Sequence, residues 1–334
     1  EGMEDSDLVV NWRGERSRGW GGWAENKAEV AETFRFACPS NPEVRAKTLA
    51  RLAELLARYP FTGVFLDKIR FPSPANGLEE VASCFCVHCR QAAREAGLDL
   101  DAVAHLLEDG RAMAAVPARQ GFPSEWLWTA VAGQPLLSRF LRFRMDVITG
   151  LAAEAHDLVK RHGAEIGFDL FSPGLAPLVG QDYAALSRLA AWIKPMSYRV
   201  AEGPAGLRLE IPALVDGISR MFGAGEAEII RWAVDSIPGF TSDTLNETRK
   251  SAVPLTIITN EIKEAVRLAS PVPVYFGLEL VSHPGVIEIT PQLVKAMVNA
   301  GRAADAAGAF ISWDLVHSPR EGIRALAEDL GAAG

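Results

Sequence analysis

The sequence predicts an α/β fold, a (β/α)8 barrel, because short apolar strands alternate with helices and because the strands end on polar side chains. Strands that alternate with helices form a parallel sheet, either in a barrel or in a doubly wound layer. No Gly-rich phosphate-binding fingerprint follows any strand, which disfavours a dinucleotide-binding layer. Polar residues instead stand at the C-terminal ends of successive strands, where a barrel carries its chemistry. These residues are Asp67, Asp169, Tyr198, Glu279 and Asp314.

The predicted helices have recognisable starts. Asn41 and Pro42 form an N-cap and a first helical position, and an apolar stripe continues from there to about Tyr59. Longer apolar periodicity predicts helices over roughly 137–160 and 183–190. Thr290 and Pro291 open a late helix, and the stretch 205–270 is mostly helical. We therefore expect helices to connect nearly all of the strands.

Six strands are predicted from short apolar runs, at 8–12, 63–67, 166–171, 192–198, 272–279 and 309–314. A closed barrel of this type needs eight strands. Two explanations stay open. Either the first strands precede Glu1 in a longer chain, or strands lie unrecognised in the helical stretch 205–270, where 229–234 is the candidate.

Composition excludes several functional classes. The net charge of −8 over 334 residues disfavours binding to nucleic acid or to anionic membranes, which depends on dense Lys and Arg. The sequence has no apolar run of the roughly 18 residues that a membrane span requires. The acidic start of the chain does not resemble a secretion signal. Few, grouped cysteines suit a reducing compartment, so we expect a soluble, cytoplasmic protein.

The four cysteines of the chain form one close cluster and one distant member. They are Cys38, Cys84, Cys86 and Cys89. Zinc prefers four soft donors in a tetrahedron, and a full set of thiolates leaves no open position for chemistry. The spacing therefore predicts a closed, structural zinc site, with His88 as a minor alternative ligand.

The surroundings of these cysteines resemble a known family. The run 38–42, CPSNP, precedes a helix, and the run 84–90, CFCVHCR, follows the next strand. Together, over residues 36–95, they are similar to the zinc-binding segment of family 42 glycoside hydrolases, the bacterial β-galactosidases. The run 63–72, GVFLDKIRFP, also resembles glycoside-hydrolase-like barrels in which Asp closes the fourth strand. The resemblance implies a glycosidase-like barrel, structural zinc, a carbohydrate substrate and a homo-oligomer.

Two carboxyl groups are needed to cleave a glycosidic bond, one as an acid and one as a nucleophile or base. Asp67 is the first candidate, because the resemblance places it at about the acid/base position, although the Asn-Glu pair of the family is absent there. Glu279 ends a late strand, about where the family holds its nucleophile, and Asp169 is the third candidate. The reverse assignment, with Asp67 as nucleophile and Asp169 or Glu279 as acid, stays open.

Aromatic and charged residues near strand ends are the expected sugar-binding groups, because the apolar face of a sugar packs on a flat ring. They are Arg70, Tyr198, Trp313, Asp314, Trp12 and Lys194. We thus expect residues 1–334 to form one catalytic, TIM-barrel-like domain with a zinc-binding insertion at about 72–100. The expected function is hydrolysis of an O-glycosidic bond, and the alternative is a non-catalytic carbohydrate-binding protein on the same fold.

Overall fold

The structure, a computed structural model, describes residues 4–20, 34–109, 135–233, 237–282, 287–312 and 315–331. Its strands are β1 (Gly63–Leu66), β2 (Glu165–Phe171), β3 (Trp192–Met196), β4 (Tyr275–Glu279) and β5 (Gly308–Ser312). Its α-helices are α1 (Pro42–Arg58), α2 (Leu78–Val81), α3 (Val87–Glu95), α4 (Leu100–Glu108), α5 (Pro135–Arg161), α6 (Tyr183–Ser187), α7 (Leu207–Phe222), α8 (Glu226–Ala233), α9 (Ser242–Lys250), α10 (Leu255–Ala269), α11 (Pro291–Ala303) and α12 (Arg320–Gly331).

All five strands run parallel. β1 pairs with β2 and β2 with β3, while β4 pairs with β5. A single parallel bridge between Ile193 and Val274 joins the two groups, and the Ile193 amide donates to the Pro273 carbonyl at 3.1 Å. The strands therefore follow one another in chain order, as βαβ units with connecting helices predict.

The sheet is curled. The rings of Phe65 on β1 and Phe310 on β5 stack with their centres 5.3 Å apart. In a flat sheet, the first and fifth strands would lie about 19 Å apart. The two outer strands therefore approach each other as strands do in a barrel. Among the described residues, neither strand pairs on its outer edge, so the closed eight-stranded barrel stays a prediction.

Helices cover the sheet on its outer side. α5 packs against β2 and against α1, α10 packs against β3, and α11 packs against β4 and β5. The predicted helix starts are confirmed: the Asn41 side chain accepts from the Glu43 amide at 2.9 Å, and the Thr290 hydroxyl accepts from the Leu293 amide at 3.3 Å. No helix in the part of the chain that the structure describes is apolar over the length needed to cross a bilayer.

The predicted strand at 8–12 was wrong, and the described part of the candidate strand at 229–234 is helical. Residues 8–12 make only isolated antiparallel bridges, because their backbone groups form hydrogen bonds with loop residues. The Val9 amide donates to the Phe36 carbonyl, and the Val10 carbonyl accepts from the Phe85 amide. The apolar run reflects burial, since Leu8 is 1% exposed. Residues 229–233 of the second candidate lie in helix α8, where Glu226 supplies a favourable acid in the first turn.

Candidate active site and metal centre

Asp67, directly after β1, and Asp169, within the neighbouring strand β2, lie on the same face of the sheet. Leu66, the last residue of β1, pairs with Phe168 of β2. Asp67 directly follows Leu66, and Asp169 directly follows Phe168. Residues that pair across parallel strands point to the same side, with their strands about 4.8 Å apart. Asp67 and Asp169, the first and third of the predicted carboxylates, therefore lie near each other toward the C-terminal edge of the sheet.

Asp169 is held by a buried lysine. It pairs with Lys194 of β3 in the strand register, and Lys194 Nζ donates to Asp169 Oδ2 at 2.6 Å. The same Nζ lies 2.6 Å from Tyr198 Oη. All three side chains are buried. Three of the predicted site residues thus form one hydrogen-bonded group, with Lys194 at its centre.

The second oxygen of Asp169, Oδ1, is enclosed by protein and is left unpartnered by the described residues. Burial, together with the charge of Asp67, raises the pKa of Asp169 to about 7, against the opposing effects of Lys194 and Arg70. A carboxyl group with such a pKa can carry a proton near neutral pH, as a general acid must.

Asp67 is exposed, in contrast to Asp169. Its Oδ1 accepts from the Lys68 amide at 2.6 Å. Lys68 has φ of +57°, a left-handed conformation that few residues other than glycine adopt, and its Nζ lies 4.1 Å from the centre of the Phe34 ring. The turn after β1 therefore orients one oxygen of Asp67 toward its own backbone.

Arg70 lies behind the two aspartates and is only 4% exposed. Its guanidinium carbon lies 4.5 Å from the centre of the Phe36 ring and 4.6 Å from that of Phe171. Burial lowers the pKa of Arg70 to about 10, while the charges of Glu210, Asp67 and Asp169 raise it. Arg70 is therefore a buried cation whose own pKa responds to the charges of both aspartates.

Glu279 anchors a loop. Its carboxylate accepts hydrogen bonds from the amides of three consecutive residues, Arg199 at 2.7 Å, Val200 at 2.9 Å and Ala201 at 2.6 Å. Both of its oxygens are engaged, and it is 4% exposed. Burial raises the pKa of Glu279, and these three amides oppose that effect. The carboxylate therefore holds the segment that follows Tyr198 against the end of β4.

Two further buried carboxylates were missed by the sequence analysis. Glu210 of α7 accepts from the Ser73 hydroxyl at 2.8 Å and from the Ala75 amide at 2.8 Å, and it lies near Arg70. Glu261 of α10 accepts from the Ser172 hydroxyl at 2.5 Å. Both sit in helices, where a single glutamate gives no sequence signal of burial, and both fix loops at the C-terminal edge of the sheet.

Aromatic side chains line the inner face of the sheet beneath the aspartates. Phe65 precedes Asp67 by two residues and so shares its face; it is 37% exposed and its ring centre lies 5.7 Å from Lys194 Nζ. This position was missed, although the two-residue period of a strand could have identified it. Trp12, a predicted sugar-binding residue, is buried in the core at 6% exposure. Trp313 and Asp314 lie outside the described residues.

The four cysteines come together, as predicted. Their sulfur atoms all lie within 4.8 Å of one another, and three of the four residues are buried. A tetrahedral zinc with Zn–S bonds of about 2.3 Å would separate its sulfurs by about 3.8 Å. Cys86 caps helix α3 and Cys89 lies in its first turn, where the helix dipole favours thiolates.

Hydrogen bonding within this group supports a metal-binding role. The amides of Val10 and Cys86 donate to Cys84 Sγ at 3.3 and 3.5 Å. Hydrogen bonds to neighbouring thiols raise the pKa of Cys38 and of Cys89. Four sulfurs this close together share protons unless a metal cation displaces those protons. The donor set therefore fits a metal of the zinc class.

Comparisons with solved structures show the fold type. The glycoside hydrolase domain of PgaB (BpsB) from Bordetella bronchiseptica is similar over 97% of this chain and 68% of its own, with a TM-score of 0.53 and 11% identity. The catalytic domain of β-amylase from Paenibacillus polymyxa is similar over 99% of this chain and 75% of its own, with a TM-score of 0.51 and 11% identity. No family model and no curated protein matches the sequence.

At this identity the similarity concerns the fold alone. The chain has a mixed α/β fold with parallel strands, similar to the fold of these two glycoside hydrolase domains, which is of the TIM-barrel type. The predicted resemblance to glycoside hydrolases is confirmed at that level, and the part of it that concerns family 42 is confirmed only as a cluster of four cysteines.

Proposed function

We propose that this protein is a glycoside hydrolase in which Asp169 is the general acid and Asp67 is the nucleophile or base. The observation that supports the proposal is the buried, unpartnered Oδ1 of Asp169, in a carboxyl group whose pKa is raised to about 7 and whose strand lies beside the one that leads to an exposed second aspartate, Asp67. A glycosidase needs this combination of one protonated and one ionised carboxyl group.

The chemistry follows from these positions. Asp169 Oδ1 gives its proton to the glycosidic oxygen while Lys194 holds Oδ2. The carboxylate of Asp67 attacks the anomeric carbon or takes a proton from the attacking water. Phe65 offers an exposed aromatic face for a sugar ring.

Glu279 is left out of this pair, because three backbone amides already occupy its oxygens. We assign it the positioning of Tyr198 and the following loop. The proposed assignment is therefore the reverse one that the sequence leaves open, with Asp67 as the nucleophile and Asp169 as the acid.

We also propose that zinc occupies the four-cysteine site in a structural role. Cys38, Cys84, Cys86 and Cys89 would hold it, and a complete thiolate set supplies folding stability rather than an open coordination position. The insertion at 72–100 would then be a metal-stabilised part of a single catalytic domain. The cytoplasmic location and the homo-oligomer stay predictions of the sequence.

The test is hydrolysis of a panel of nitrophenyl glycosides and oligosaccharides by the wild-type protein and by three variants. Asp67→Asn and Asp169→Asn should each lower kcat at least about 100-fold, the range of general acid–base catalysis. Asp305→Asn is the matched control, because Asp305 is exposed and lies near the opposite end of β5, with φ of +56° that Asn tolerates.

Each outcome selects between the two candidate functions. Cleavage that is lost in both site variants and kept in the control supports the enzyme. Saturable sugar binding without turnover in the folded wild-type protein supports the alternative, a non-catalytic carbohydrate-binding protein. Turnover that survives both site substitutions contradicts the proposed residues.

A further inference from the structure

Arg144 is a fully enclosed arginine in the middle of α5. It is 1% exposed, and its guanidinium carbon lies 4.5 Å from the centre of the Phe71 ring and 5.6 Å from that of Phe140. Its Nε and Nη2 have no hydrogen-bond partner among the described residues. A buried cation with unmet donors is costly, so the fold must offer it a compensating charge.

That charge is found in the cysteine cluster. Ring contacts connect Arg144 to this cluster, because Phe140, which lies against the guanidinium, packs on Phe85 with ring centres 5.4 Å apart. Phe85 stands between two of the cysteines in the sequence. Burial lowers the pKa of Arg144 to about 9, and the charges that oppose this effect are those of Cys89 and Cys84.

The charge of the proposed metal centre would be stabilised by a nearby cation such as Arg144. Sulfurs within 4.8 Å of one another leave room for one ion. One divalent ion with four thiolates carries a net charge of −2, and this charge is buried with the cysteines. A single guanidinium nearby reduces the uncompensated charge to −1, which lowers the cost of burying the loaded centre.

We propose that Arg144 is the charge-compensating neighbour of a mononuclear tetrathiolate metal centre, and that it raises the affinity of this centre for a soft divalent cation. Arg144 positions and stabilises the centre without being a ligand. The inference rests on the proposed metal centre and is independent of the glycosidase activity.

The experiment compares Arg144→Met with Arg70→Met. Both arginines are buried between two aromatic rings with an unpartnered Nε, but only Arg144 is influenced by the thiolates. The apparent Kd for Zn²⁺ is measured on the full chain by competition with a chromophoric chelator. Arg144→Met should bind Zn²⁺ about 10- to 100-fold more weakly, and Arg70→Met should bind it like the wild type.

Equal Zn²⁺ affinity in Arg144→Met and the wild type overturns the inference, and so does an equal loss in both variants, which would be a general effect of removing a buried arginine. A wild-type protein that takes up no Zn²⁺ instead refutes the metal centre itself. If Arg144→Met does not fold, Co²⁺-loaded Arg144→Gln and Arg70→Gln, which also remove the positive charge, give a second measurement. A shifted thiolate-to-Co²⁺ absorption band is expected in Arg144→Gln alone, and an unshifted band there contradicts the inference.

Discussion

Lys194 Nζ lies 2.6 Å from Asp169 Oδ2 and leaves Asp169 Oδ1 without a partner among the described residues. One buried cation thus fixes the orientation of a carboxyl group by one oxygen only. Gly277 makes room for this arrangement, since a Cβ there would lie 2.8 Å from Tyr198 Cε1 and 3.3 Å from Lys194 Cε. The consequences of this pairing for catalysis can be measured directly.

The activity should fall as pH rises through about 7. Asp169 must be protonated to act as the acid, and burial raises its pKa to about 7, so the competent form is lost above that pH. The measurement is kcat/KM on the best glycoside from pH 5 to 9. A rate that stays flat or increases between pH 6 and 8 would refute Asp169 as the acid.

Lys194→Met should raise the pH at which activity is lost, which we call the alkaline limit. The lysine charge lowers the pKa of Asp169, so its removal raises that pKa, by about one unit or more for a close opposite charge. The matched control is Tyr198→Phe, which removes the other hydrogen-bond partner of Lys194 and keeps the cation. A limit that moves equally in both variants, or downward in Lys194→Met, would show that the charge is not the cause.

Glu279→Gln should destabilise the fold. Gln replaces one acceptor oxygen by a donor that faces backbone amides, which leaves at least one buried N–H unsatisfied and costs roughly 2 kcal/mol. Urea unfolding measures the loss, with exposed Glu247→Gln as the control. Full stability with abolished turnover would instead return Glu279 to the catalytic role that the sequence suggests.

Removal of the metal should lower the thermal midpoint and leave the chemistry intact. A closed tetrathiolate site contributes to folding and offers no open coordination position, so chelation should reduce Tm on the order of 10 °C. Calorimetry and initial rates well below the midpoint are measured before and after chelation, with Zn²⁺ added back. Complete loss of activity in a still-folded, metal-free protein would make the metal catalytic.

Much of this site could be predicted from sequence, because its signals are local. A strand that ends on Asp, as at Asp67, is visible in a few residues, and so is the C-x-C-x-x-C spacing of Cys84, Cys86 and Cys89. The comparison of strand ends also singled out Asp169, and Lys194 was expected to hold hydroxyls or a carboxylate. Local patterns of this kind are determined by backbone period and ligand geometry.

Other features depend on partners that are distant in sequence. The amides that occupy Glu279 come from residues about 80 positions earlier, and the cysteines that affect the pKa of Arg144 lie on a different segment. The run 8–12 has the apolar content of a strand but is held by loop carbonyls. No periodicity records such contacts, so the sequence could not separate an anchoring carboxylate from a catalytic one.

The central claim is that Asp169 and Asp67 have different roles, and leaving-group dependence tests it most directly. The measurement is kcat/KM of Asp169→Asn and Asp67→Asn on two glycosides of the preferred sugar, one with a dinitrophenyl group and one with an unactivated alcohol. Dinitrophenolate departs without protonation, so Asp169→Asn should keep most of its kcat/KM on that substrate and lose at least about 100-fold on the other. Asp67→Asn should lose activity on both substrates. Equal losses of Asp169→Asn on the two substrates, or turnover by Asp67→Asn at the wild-type rate, would contradict the account.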